Sequence, residues 1–273
     1  MIRKLKYATI ADIGVFNLTY YDKEKEDELI NKCNLLGITY LPSREGNCVY
    51  KITNNKFVKS KIEKHLLVNP YDLLFHEETI QKFKNLDHNE IRFIVEEDII
   101  KGVVHIVDYN NEFIYLELYK ALFRFENFVR DILIKNKFTN NCFIQWVYKQ
   151  QTTAKKKNRD HWIRRYQELV PDNKNKLENI INRRKTSNPF QTFYLRELIE
   201  FAISENLIPK KDINIFAISS LRNKIAHSKD MTSRKESENN IVYNFHGLEE
   251  FINEINAFIK AFEIAMNTIN RRD

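Results

Sequence analysis

Residues Glu112–Asn136, EFIYLELYKALFRFENFVRDILIKN, decide how the chain is read. Apolar side chains recur at Tyr115, Leu118, Tyr119, Leu122, Phe125, Val129, Ile132 and Leu133. A period of about 3.6 predicts a helix over roughly 112–136. Toward the C-terminus the same period predicts further helices. One runs over about 190–207 and ends near Leu207-Ile208-Pro209, and another covers Ile213–Ala226. The last follows Gly247, from Leu248 to about Ile269, with Phe251, Ile255, Phe258, Phe262, Ala265 and Ile269 on one face. The second half therefore reads as all helix with charged connections.

Toward the N-terminus the grammar changes. Gly37-Ile38-Thr39-Tyr40-Leu41-Pro42 predicts a short strand, Ser43–Asn47 a turn, and Cys48–Ile52 a second strand. The phrase recurs about 50 residues on: Ile91–Val95, a polar turn at Glu96-Glu97-Asp98, then Gly102–Asp108. An amphipathic helical segment precedes each pair, Asp22–Leu36 in the first copy and Glu77–Leu86 in the second. Two copies of helix–strand–turn–strand suggest an internal repeat, neither half of which could bury its apolar face alone. The polar break Asp108-Tyr109-Asn110-Asn111 divides the chain into residues 1–110 and 111–273. The expected class is α+β, an N-terminal α/β module followed by an all-α helical bundle.

The 273 residues are 43% hydrophobic and carry a net charge of +7, enough apolar content for real cores. Collagen-like, disulfide-framework and wholly disordered chains are excluded. No stretch approaches the ~18 continuous apolar residues of a membrane span, and no signal-type apolar run follows MIRKLKY. Cys33, Cys48 and Cys142 are odd in number without paired spacing, so a reducing, cytoplasmic setting is expected. The charge is unevenly placed. Residues 1–110 hold 16 basic and 17 acidic side chains, residues 111–273 hold 28 and 20, and 149–185 alone holds 12 and 4. With five glycines, four of them before residue 110, neither nucleotide-binding glycine loop is present.

The repeated phrase resembles a tandem pair of cystathionine-β-synthase (CBS) motifs, regulatory modules that bind adenine nucleotides. In the second copy Gly102-Val103-Val104-His105-Ile106-Val107-Asp108 is similar to the family's Gly-h-x-Ser/Thr-x-x-Asp pattern. The resemblance implies that Asp108 takes ribose hydroxyls, with His105 where the family has Ser or Thr, and Gly102 opening the pattern. It implies an adenine nucleotide or cyclic oligonucleotide as regulatory ligand. The alternative is that Asp108 merely opens the turn that follows it. The first copy, Cys48–Asn54, lacks both glycine and aspartate.

Helix Ile213–Ala226 ends in Leu221-Arg222-Asn223-Lys224-Ile225-Ala226-His227, which resembles the Arg-x4–6-His motif of the HEPN superfamily. Phe125-Glu126-Asn127-Phe128-Val129-Arg130 matches the Glu and Arg that many members carry in their first helix. Independently, Ile218, Leu221 and Ile225 lie within about 60° of one another and define a predicted buried face. Asn223 and His227 share the roughly opposite face, with Arg222 at the border. Arg222 and His227 are about 140° apart, so they converge only if the helix end distorts or a partner helps. A two-fold homodimer, which the resemblance implies, would supply that.

The resemblance implies a metal-independent endoribonuclease needing no cofactor. His227 would move a proton during 2′-hydroxyl attack on the adjacent phosphate. Arg222 would stabilise charge on the phosphorane, Asn223 would orient the histidine or bind phosphate, and Glu126 and Arg130 would support them. The products would be a 2′,3′-cyclic phosphate and a 5′-hydroxyl, in a bacterial antiviral-defence or toxin role. The other reading makes His227 a helix C-terminal feature suited to the dipole. The protein would then be a non-catalytic nucleotide- or RNA-binding HEPN domain, or an antitoxin-like interaction protein. The segment KQQTTAKKKNRDHWIRRY at 149–166 offers Lys155, Lys156, Lys157, Arg159, Arg164 and Arg165 to an RNA backbone, joined by Arg183-Arg184-Lys185. Trp162 and Tyr166 could stack on bases or pack inward.

Overall fold

The computed structural model describes residues 2–46, 48–84, 91–153, 156–170, 190–227, 229–237 and 240–270, with side chains for all but 156–157, 234–237 and 240–242. Its elements open with α1 (Ile2–Lys6), α2 (Glu26–Leu36), β1 (Tyr40–Pro42), β2 (Cys48–Thr53), β3 (Lys56–Lys61) and β4 (Leu67–Val68). Then come α3 (Glu77–Gln81), β5 (Arg92–Glu96), β6 (Ile99–Val104), α4 (Glu112–Lys135), α5 (Asn140–Thr153) and α6 (Lys156–Leu169). The chain closes with α7 (Leu195–Ser204), α8 (Ile215–Ala226), β7 (Ser233–Ser237), β8 (Asn240–Tyr243) and α9 (Phe245–Asn270). The protein is mixed α+β with a helical C-terminal part. Its contacts group into two compact units, Met1–Lys120 with Leu221–Asn256, and Ala121–Ser220 with Ala257–Asp273.

In the first unit, β1, β2 and β3 form an antiparallel sheet, while β4 joins β5 in parallel and β5 joins β6 antiparallel. Two tight turns set the registers. Asn54-Asn55 have φ of 51° and 56°, and Glu97-Asp98 have φ of 51° and 59°. Paired left-handed residues match the strand twist in two-residue hairpins. Helix α2 ends at Gly37, whose φ of 66° turns the chain so that the Ile38 N–H also reaches back to the Cys33 carbonyl, at 2.9 Å. The helix buries Leu29 and Cys33 against Leu41, with Tyr21, Ile38, Ile52 and Phe57 around them. The two sheets share a second cluster, Val49, Ile62, Phe93 and Ile100. Burying a side chain of this size is worth roughly 1.5–3 kcal/mol.

Three expectations need correction in this unit. The two copies are not topologically alike: the first runs on into β3, and the second gains a parallel neighbour in β4. The strand expected to reach Asp108 stops at Val104, because His105 and Asp108 cap a short 3₁₀ turn at Ile106–Asn110. The second half is not wholly helical, since β7 and β8 pair between α8 and α9. That stretch is too short and too polar to carry a helical apolar stripe.

In the second unit Phe125 stands edge-on to Phe258 and stacks on Phe262. Phe143 stacks on Phe193, and Trp146 packs against Trp162 and Phe201. Helices α5 and α6 occupy much of the stretch read only as a basic segment. Arg165 of α6 points inward: its Nε and Nη2 donate to the Glu197 carboxylate at 2.7 and 2.9 Å. The same guanidinium donates to the Thr192 carbonyl and to Glu168, and lies 4.4 Å from the Tyr194 ring. On α4 the expected stripe holds except at Tyr119, which is exposed; Ile114 and Ala121 are buried.

Gly247 lies against backbone: a Cβ there would stand 2.1 Å from the Thr232 carbonyl oxygen. Gly247→Ala should destabilise the protein by at least roughly 1–3 kcal/mol in denaturant unfolding. Glu197→Ala leaves the Arg165 charge buried without its main partner and should cost roughly 3–5 kcal/mol in the same measurement.

Candidate functional site

Helix α8 starts where the Asn214 side chain accepts the Ala217 N–H at 3.1 Å, a cap on an otherwise orphaned donor. Its buried face is Ile218, Leu221 and Ile225, as the helical angles predict. Asn223 and His227 are exposed and Arg222 is half-buried. Lys224, between them, is held by Glu254 at 2.9 Å. Among the described residues, the side chains of Arg222, Asn223 and His227 make no hydrogen bond or ion pair.

Residues 229–232 are tightly held. The Lys229 N–H turns back to the Lys224 carbonyl at 2.9 Å and closes the helix end. The Tyr115 hydroxyl donates to the Lys229 carbonyl. Asn110 accepts the Met231 N–H at 2.7 Å and donates to the Thr232 hydroxyl at 3.0 Å. The Tyr243 hydroxyl donates to Asp230 at 2.5 Å. That bond to a carboxylate pushes the Tyr243 pKa up to about 12, and burial raises that of Tyr115. Both phenols therefore remain donors at neutral pH.

Tyr115, Asn110, Asp230 and Tyr243 were not singled out in the sequence. Tyr115 reads there as one apolar mark on a helical stripe, and its partner is 114 residues away. A tyrosine within an amphipathic helix, where Leu or Ile would serve as well, is the only signal available.

The remaining expected site residues fall into separate places. Arg130 binds Glu126, one helical turn back, and Asn127 at 3.2 Å, so the two supporting residues pair with each other. The Asp108 carboxylate accepts the His105 N–H at 2.7 Å, and His105 Nδ1 accepts the Val107 N–H at 3.1 Å. Both are engaged in one turn, and burial raises the Asp108 pKa. Gly102 has a local reason: a Cβ there would lie 2.8 Å from the Val15 carbonyl oxygen, so glycine admits the crossing chain.

In the basic segment, Arg159 and Arg164 are exposed on α6, whereas Arg165 is buried in its ion pair. Trp162 packs inward and Tyr166 lies against Tyr148. Lys155 and Arg183-Arg184-Lys185 lie outside the described residues, as do the side chains of Lys156 and Lys157. No group of three or more His, Cys, Asp or Glu positioned for a metal occurs among the described residues. Among them, no helix is long and apolar enough to cross a membrane. In comparisons with known proteins, no family model, no curated protein and no solved structure matches this chain.

Proposed function

We propose that the protein is a metal-independent endoribonuclease, acting as a homodimer in which two copies of the α8 end form a composite site. The observation that carries this reading is that Asn223 and His227 project from one helix end away from its buried face, with Arg222 half-buried at the border. Their side chains have no structural bond to make among the described residues. The resemblance of Arg222–His227 to the HEPN motif supports it.

The chemistry follows from the groups. An imidazole can accept the 2′-hydroxyl proton and return it to the leaving 5′-oxygen near neutral pH. Two copies of His227 divide those tasks between a base and an acid. The Arg222 guanidinium meets the extra negative charge of the phosphorane with fixed donors. Asn223, on the same face as His227, orients the imidazole or binds a phosphate oxygen. Tyr115 and Asn110 bind Lys229 and Met231, just beyond His227, and leave its imidazole unoccupied. Exposed Arg159 and Arg164 add backbone attraction for RNA that weakens with salt. Such an enzyme would serve in defence against invading nucleic acid or as a toxin in the cytoplasm. Adenine-nucleotide control through Asp108 would require the carboxylate to exchange the His105 N–H for ribose hydroxyls.

The full-length protein incubated with RNA in EDTA should yield 2′,3′-cyclic phosphate ends. His227→Ala and Arg222→Ala should each lower the cleavage rate by about 10²–10⁴-fold. Thermal melting and dimer mass should be unchanged. Undiminished cleavage by His227→Ala overturns the mechanism. Absence of cleavage by the unaltered protein, with or without nucleotides, points instead to a non-catalytic RNA-binding domain.

A further inference from the structure

A cavity of about 310 Å³ opens in the first unit between the edge strands β1 and β6. Its size lies at the lower end of small-molecule sites, about 300–1,000 Å³. A strap of chain, residues 15–21, forms part of its wall. Val15 exchanges two backbone bonds with Val103, at 2.8 and 2.9 Å, and the Tyr21 N–H binds the Pro42 carbonyl at 3.0 Å. Between those fastenings the strap has no regular structure, and Leu18 from its middle lines the cavity.

Ile38, Leu41, Ile91, Phe93 and Val103 supply most of the remaining wall, with Asn17, Thr19 and Thr39 as hydrogen-bonding side chains. Among the described residues, the lining contains no Lys, Arg, His, Asp or Glu. A charge cannot be satisfied inside such walls, so the body of any occupant is apolar. Two ammonium groups touch the lining from outside. Lys32 donates to the Thr19 hydroxyl at 3.1 Å, and Lys51 stands 5.4 Å from the centre of the Tyr40 ring. Both are exposed, and neither is paired with a carboxylate among the described residues.

We propose that this cavity binds a small carboxylate with an apolar body, its chain or ring against the strap and its head against Lys32 and Lys51. The combination separates the two parts of the ligand: apolar walls take the body by area removed from water, and the lysines take a single negative charge at the rim. The proposal is independent of the ribonuclease reading. It is also distinct from a nucleotide at Asp108, which is not among the lining residues.

The test uses the full-length protein with labelled methyl groups and three probes sharing one body: octanoate, 1-octanol and octylamine. Octanoate should shift the methyl signals of Ile38, Ile91 and Val103. It should bind at least about tenfold tighter than 1-octanol, with octylamine weakest. The Lys32→Gln/Lys51→Gln double variant, altered only at exposed positions, should bind octanoate and 1-octanol alike. Leu18→Trp should block both. Absence of those methyl shifts, equal affinity for the three probes, or an undiminished octanoate preference in the double variant would overturn the proposal. So would displacement of octanoate by AMP, which would assign the cavity to a nucleotide.

Discussion

An arginine and a glutamate, both nearly shut off from water, face one another in the second unit, and the segments that meet there are arranged so that both are satisfied. Burying the two charges costs several kcal/mol each before any attraction is counted. The cost is met because Glu197 receives two N–H groups of the same guanidinium in a fork, the geometry that makes such pairs strong. The Glu197 carboxylate also accepts the Tyr194 N–H at the start of α7, where an anion suits the helix dipole. Helix α6, the turn at 190–194 and helix α7 are thereby tied at one point. The aromatic cluster of Phe143, Trp146, Trp162 and Phe201 fills the space beside it.

The same pair alters the meaning of the basic segment. Its surplus charge suggests a face offered to RNA, yet Arg165 is spent on the core. Alternate positions of one amphipathic helix serve different ends: Trp162, Arg165 and Leu169 face in, and Arg159, His161 and Arg164 face out. The end of α8 divides its polar groups in the same manner. Lys224 is neutralised by Glu254, while the side chains of Arg222, Asn223 and His227 around it are unengaged among the described residues. Position on the helix, rather than residue type, separates structural cations from available ones.

Helices with an apolar stripe, α4, α7, α8 and α9, were legible because a 3.6-residue period survives any tertiary context, whereas α5 and α6 were not, their charged and polar side chains having been read as a basic segment. The buried trio of α8 could be read from angles alone. Strand β3 was not legible, since Lys56–Lys61 has five of six residues exposed and so lacks the two-residue alternation that marks a strand. It is held by register with β2, through the Asn54-Asn55 turn. Asp108 was misplaced on a strand because Ile106 and Val107 look like strand residues. What ends the strand is a pair of backbone-to-side-chain bonds between His105 and Asp108, invisible to composition. The clamp behind His227 was illegible for a different reason: Asn110 and Tyr115 meet residues 229–232 only after the chain has traversed more than a hundred positions.

The strap in the cavity wall has a second effect on the fold. Strands β1 and β6 are each one of the two edges of their sheets, and an unpaired edge is a template on which another chain can add a strand. Val15 and Tyr21 occupy backbone positions on those two edges from a single short run of chain. One crossing thus covers one edge of each sheet against strand addition. Gly102, by allowing the close approach, lets the crossing chain cover the β6 edge as well as pack on it.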